Sequence, residues 1–165
     1  MNPNQRNERL RGVCEDLGFR SVRTVISSGN VVFEADTEDA PTLEADLEAA
    51  WLDQLDFTST TIIRSRSDLQ SLTDADPFGG LAHGKTTYLL TTFFKNPVTV
   101  DFALPYNVAD RDYRIVAATP RELYSVMDTT SAGTPDLMVW LESQFGTGLT
   151  SRTWLTVSRI LTRMG

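Results

Sequence analysis

Two short segments hold residues whose types and spacing could do chemistry. The first is Ser27-Ser28-Gly29-Asn30, which interrupts a β-rich run from Val22 to Phe33. Gly29 and Asn30 are residue types that accept positive φ, and the flanks are β-branched, so a tight hairpin is expected. Such a corner offers the Ser28 hydroxyl, the Asn30 carboxamide and backbone N–H groups at one sheet edge. It could be a ligand contact or only a turn. The second segment is Arg152-Thr153-Trp154-Leu155-Thr156-Val157, where strand-like sequence passes into a helix. Thr153 can cap that helix, and free N–H groups at its start favour an anion. Arg152 adds a planar fork suited to phosphate or carboxylate, and Trp154 an apolar wall or a piece of core. Ser28, Gly29, Asn30, Arg152, Trp154 and Thr156 are therefore the candidate residues for a small anionic or polar ligand expected between the Ser28-Gly29-Asn30 hairpin and the Arg152–Thr156 segment. No residue receives a catalytic role, and whether the chain is an enzyme stays open.

A third segment matches a phosphate-loop pattern. Gly79-Gly80-Leu81-Ala82-His83-Gly84-Lys85-Thr86 fits G-x-x-x-x-G-K-[ST]. Phosphate binding there needs a strand before the loop and a helix after it. Here a Pro-Phe turn precedes it and the strand sequence Thr87-Tyr88-Leu89-Leu90 follows. A nucleotide hydrolase using Gly79–Thr86 is thus a remote alternative, and a linker is the plainer reading. The carboxylates form no persuasive pair: Glu44 and Glu48 lie one helical turn apart on what reads as an exposed face. Cys14 and His83 are the single cysteine and histidine, so internal disulfides and Cys/His zinc sites are excluded. Cys14 sits on the apolar stripe Leu10, Val13, Cys14, Leu17, the setting of a buried structural thiol. No cofactor and no metal is expected.

The chain of 165 residues suits one medium domain or two small ones, and its 41% hydrophobic content is enough for a core. Net charge is −7 and unevenly spread: residues 1–80 hold 15 acids against 7 bases, residues 81–165 hold 7 against 8. An acidic first half argues against a duplex nucleic-acid partner. No apolar run approaches the ~20 residues of a membrane helix, and the N-terminus is polar, so a soluble cytoplasmic protein is expected.

The elements that must position the candidates follow from periodicity. Residues 5–17 read as an amphipathic helix stopped by Gly18, followed by the hairpin. Pro41 opens a helix carrying Leu43, Leu47, Trp51 and Leu55. Phe57 to Arg64 reads as a strand, and Ser67 as the cap of a short helix ending before Pro77. The second half opens with a strand at Thr86–Lys95, then an ambiguous stretch, 97–110, a short or degraded helix. Strands at Tyr113–Ala118 and Leu123–Met127 flank a Thr119-Pro120 turn. A helix from about Pro135 to Phe145, an extended Thr150–Trp154 and a final helix complete the chain. The expected fold is α+β: two tandem ferredoxin-like plaits, residues 1–80 and 81–165, the first lacking its opening strand.

Ser28-Gly29-Asn30-Val31-Val32-Phe33 and Arg152-Thr153-Trp154-Leu155-Thr156-Val157 resemble signatures of the bacterial domain of unknown function 1697 family. Leu17-Gly18-Phe19, Val22-Arg23-Thr24, Asp76-Pro77-Phe78 and Glu122-Leu123-Tyr124 agree in order. The resemblance implies tandem α/β plaits and carries no activity. It also implies a strand and Gly-rich loop before the first helix, of the type Leu-Leu-Arg-Gly-Ile-Asn-Val-Gly-Gly, which this sequence does not show. Thr153 stands where the family has asparagine. An unpaired edge left by that strand would suit a non-catalytic interaction module, pairing with a partner or forming a homodimer.

Overall fold

A computed structural model of the chain describes residues 3–26, 29–129 and 136–165. Among the described residues five helices and two antiparallel sheets make a mixed α+β fold, in two compact units: residues 1–68 with 159–165, and residues 69–158.

In the first unit, α1 (Pro3–Asp16) turns Leu10, Val13 and Cys14 onto Leu47, Ala50 and Trp51 of α2 (Ala40–Leu55). Gly18 then takes φ +86° and frees the chain to turn into β1 (Arg20–Val25). β1 pairs with β2 (Asn30–Glu34), Val25 opposite Asn30 and Thr24 opposite Val31, with the register breaking between Arg20 and Arg23. Phe19 and Phe33 stack at 4.4 Å against the same core. Helix α2 begins as its sequence dictates: the Asp39 carboxylate accepts from the Thr42 N–H, and Pro41 sits in the first turn.

Three expectations in this unit are corrected. Phe57–Arg64 forms no strand, because its backbone donors find side chains in place of another strand. The Glu48 carboxylate accepts from the Thr61 N–H at 2.7 Å, and Glu44 accepts from the Ile63 N–H at 2.8 Å. Glu44, expected on an exposed face, is buried by that contact. The cap of α3 (Arg66–Asp74) is Ser65, not Ser67: its Oγ accepts from the Asp68 N–H while Asp68 accepts from the Ser65 N–H. This reciprocal pairing is a capping box with aspartate in the acidic position.

The second unit is a five-stranded antiparallel sheet in the order β4-β5-β6-β3-β7. Its strands are β3 (Thr87–Phe94), β4 (Tyr106–Asn107), β5 (Tyr113–Ala118), β6 (Glu122–Asp128) and β7 (Leu149–Thr153). Pairing partners share a face, so Phe94, Ile115, Leu123 and Leu149 meet Leu137 and Leu141 of α4 (Leu137–Phe145) on one side. On the other side Leu89, Tyr124 and Val126 cluster with Phe78 and with Trp154, the first residue of α5 (Trp154–Arg163).

The stretch 97–110 is not a helix. Val98, Val100 and Phe102 pack on the core at a spacing of two, an extended pattern, and only β4 forms. The phosphate-loop pattern also lacks its architecture: α3 and a turn at Pro77-Phe78 precede it, and β3 follows in place of a helix. His83 in that loop accepts the Leu89 N–H on Nδ1 at 3.1 Å and lies against Tyr88. No helix among the described residues is long and apolar enough to cross a membrane.

Candidate functional site

The hairpin corner belongs to the first unit. Ser28 lies outside the described residues. Gly29 takes φ +77°, with nothing within 4 Å of where a Cβ would stand. Asn30 does not turn the chain; it opens β2, buried, and its Nδ2 donates to the Val25 carbonyl at 3.2 Å. Its carboxamide therefore closes the hairpin across the strands. Asn7 of α1, which sequence reasoning passed over, reaches the same corner and donates from Nδ2 to the Ile26 carbonyl at 3.1 Å. Its Oδ1 is buried with no partner among the described residues. A polar residue at the start of an amphipathic helix gives no sign of such a contact until the hairpin is folded.

The second candidate segment is the β7–α5 junction. Strand β7 runs along β3 with Arg152 opposite Thr91, Thr153 opposite Leu90 and Ser151 opposite Thr92. Arg152 is half-buried, and removal from water pushes its guanidinium below the usual arginine range. Its Nη1 donates to Thr150 Oγ1 at 2.6 Å and to the Ser151 carbonyl at 2.9 Å, which fixes the plane of the fork. Thr153 caps α5, its Oγ1 accepting from the Thr156 N–H at 3.2 Å. The hydroxyls of Thr153 and Thr156 also meet, at 3.0 Å, so Thr156 serves the cap from a buried position.

Trp154 is a wall built into the core. Phe78 meets it edge-on at 5.1 Å and Tyr124 at 6.5 Å. Arg152, Trp154 and Thr156 are thus brought together by one strand-to-helix junction, with Gly29 and Asn30 at the hairpin of the first unit. The junction also holds a residue that sequence reasoning missed. Thr91 is fully buried in β3, and its hydroxyl has no hydrogen-bond partner among the described residues. The signal was a Thr91-Thr92 pair inside an otherwise apolar strand.

Elsewhere the chemistry is quiet. Cys14 is fully buried and its thiol is pushed up to about 12, first by burial and then by Glu15. Among the described residues no group of three or more His, Cys, Asp or Glu side chains could hold a metal ion. Asp136 before α4 accepts from the Tyr113 hydroxyl and pairs with Arg111 at 2.9 Å, an arrangement that anchors the helix start.

Comparison with known proteins bears on the fold. A solved structure of a conserved bacterial protein, SP0830 from Streptococcus pneumoniae, superposes with a TM-score of 0.66. Identity is 17%, and the match covers 96% of this chain and 88% of the other. No curated protein matches the sequence. A family model, described as a protein of unknown function (DUF1697), matches residues 3–124 and stops short of β7. With most of its length so matched, the chain belongs to the DUF1697 family of proteins of unknown function.

Proposed function

We propose that this protein binds a small anionic ligand at the Arg152–Thr156 junction. The observation that supports it is the Arg152 guanidinium: half-buried, its charge disfavoured by burial, its plane set by Thr150 and Ser151. An anion seated on such a fork forms charge-assisted, directional hydrogen bonds. Trp154 and the cap at Thr153 and Thr156 hold the junction in place beneath it. The Gly29-Asn30 corner is carried as a separate candidate contact in the first unit.

The test is a thermal-shift screen of the chain against phosphates, sugar phosphates, nucleotides with magnesium and small carboxylates. A ligand at ~100 times its dissociation constant adds roughly 2.7 kcal/mol, which moves the midpoint by several degrees. Arg152→Ala should abolish the shift, and Asn30→Ala should reduce it if the corner contributes. A shift that survives Arg152→Ala unchanged defeats the proposal.

The strand order of the second unit supports its reading as a ferredoxin-like plait. In the second, the order β7-β3-β6-β5 is that of a four-stranded plait with β4 added outside β5. In the first, among the described residues, β2 pairs with β1 alone and residues 57–64 form no strand. That open edge favours a second reading, a module that pairs with another chain or with itself. Light scattering over a hundredfold range of concentration decides it: a rising mass supports pairing, and a constant monomer mass removes self-pairing.

A further inference from the structure

We infer that helix α5 of one copy of this chain docks antiparallel on the solvent-facing side of α2 of another copy. The contact uses helix faces, so it stands apart from the Arg152 reading and from the open strand edge.

A surface helix ordinarily buries one apolar stripe and turns polar residues to water. Helix α2 departs from this. Leu43, Leu47, Ala50 and Trp51 make its buried side. On the opposite side Ala45, Ala49 and Leu52 follow one another at i, i+4 and i+7, and all three are exposed, Leu52 by 53%. Beyond the helix end Phe57 is 39% exposed and stacks on Trp51 at 6.2 Å, so a second apolar group is held in place there. Asp46 and Asp53 are exposed on one flank of this stripe. Neither has an ion partner among the described residues. Their own stretch of chain supplies none: Thr24 to Ile63 holds nine acidic side chains and no basic one.

Helix α5 carries the complement. Thr156 and Val157 are buried, while Leu155, Arg159, Thr162 and Arg163 form its exposed side, Leu155 by 46%. Arg159 and Arg163 have no ion partner among the described residues, and residues 143–165 include no acidic side chain. That makes a second copy the occupant: α2 offers an apolar stripe beside a row of carboxylates, and α5 a leucine beside a row of guanidiniums. Handedness fixes the direction. At about 100° per residue, Asp46 and Asp53 lie clockwise of Leu52 seen from the start of α2, and Arg159 and Arg163 clockwise of Leu155 seen from the start of α5. Two faces of the same hand bring these flanks together only when the helices run in opposite directions. With Leu155 seated between Leu52 and Phe57, Arg159 then falls within a turn of Asp53, and Arg163 within a turn of Asp46. Ala45 and Ala49 leave room for the arginine stems. One helix-on-helix contact is at the small end of interfaces, so the association is weak and needs high concentration.

The experiment is light scattering of the full chain over a hundredfold range of concentration in ~0.15 M salt, where repulsion between copies of net charge −7 is screened beyond about 8 Å. The mass of the wild type should rise with concentration. Arg159→Glu with Arg163→Glu, and separately Asp46→Lys with Asp53→Lys, should each weaken the association at least tenfold. The second pair is the sharper test, because it lowers the net negative charge and would strengthen any association governed by overall repulsion. All four substitutions together should restore the rise in mass. The sites are on the surface, so thermal midpoints close to that of the wild type are expected and show that each variant folds. A wild type of constant monomer mass overturns the proposal, and any occupant of α2 would then be a different, basic chain. A mass that rises equally in both reversed pairs places the contact on another surface and overturns it too, while leaving the open-edge reading standing. If the fourfold variant stays monomeric where the wild type associates, the two rows of charge do not face each other and the proposal falls.

Discussion

Phe57–Arg64 and Leu149–Thr153 are alike in composition, each a short run rich in threonine and serine that opens on an apolar residue, and they end up differently. Leu149–Thr153 becomes β7 because β3 offers it a complete ladder from Phe94 to Leu90. Phe57–Arg64 becomes an irregular segment whose donors at Thr61 and Ile63 are taken by the carboxylates of Glu48 and Glu44. Both solve the same requirement, that backbone N–H groups leaving water find an acceptor. What separates them is the source of the acceptor, a neighbouring backbone in one unit and a helix side chain in the other. β-propensity describes which segment can lie extended; a strand requires a partner as well.

The comparison breaks most violently at β3, the strand that β7 depends on. Phe94 is buried at its end, inside the cluster with Ile115, Leu123 and Leu141. Phe94→Ala should cost about 3–5 kcal/mol through lost burial and the cavity left behind. Urea unfolding followed by tryptophan fluorescence reads this directly. A loss below ~1 kcal/mol would mean that the sheet does not rest on this cluster.

The side-chain solution breaks at Glu44. Glu44→Ala removes a buried, charge-assisted acceptor and should cost about 1.5–3 kcal/mol, with Glu44→Gln costing less because its carbonyl oxygen still accepts. Hydrogen exchange gives the local reading: the Ile63 amide should lose protection while the amides of β7 keep theirs. Equal loss in both places would show that the two segments do not hold by separate means.

The same contrast explains how much the sequence disclosed. Elements whose partners are adjacent or whose periodicity is strong were legible: α1 with its stop at Gly18, the β1–β2 hairpin, α2 opening at Pro41, and the junction at Thr153. Segments whose state depends on distant groups were not. Nothing within Phe57–Arg64 reveals that Glu44 and Glu48 will replace a strand. Residues 97–110 stayed ambiguous because Val98, Val100 and Phe102 bury at a spacing of two without belonging to a ladder. Ser65 was passed over in favour of Ser67 because either serine can cap a helix, and Asp68 selects between them by answering Ser65. At the candidate site Arg152 and the Thr153 cap were visible from residue type and position. Thr91 was not, since only the register of β3 against β7 places it opposite Arg152.

A smaller effect tests the junction between β7 and α5. Thr153→Ala deletes the side-chain acceptor of the Thr156 N–H and the contact between the two hydroxyls. The expected cost is about 1 kcal/mol. Thr153→Asn, which can cap as well, should cost less than Thr153→Ala by the same unfolding assay. If the two substitutions cost the same, side-chain capping is not what fixes the start of α5.

The smallest effect at neutral pH is the one that separates the two units by alkaline titration. Cys14 in the first unit is raised from 9.0 to about 12, chiefly by burial, and Tyr113 in the second is raised from 10.0 to about 12 by burial and by Asp136. Each group holds its proton longer folded than unfolded, so between those values the folded chain binds more protons and stability falls as pH rises. At pH 7 both groups are protonated in either state, so stability does not vary with pH through them. Above pH 9 the Cys14 contribution should begin to fall, at most ~1.4 kcal/mol per pH unit for one proton. Above pH 10 the Tyr113 contribution should follow. Cys14→Ala should therefore remove the first part of the alkaline decline and Tyr113→Phe the second, measured as the slope of unfolding free energy against pH. A decline that starts at the same pH in both variants and in the wild type would mean that neither buried group sets it.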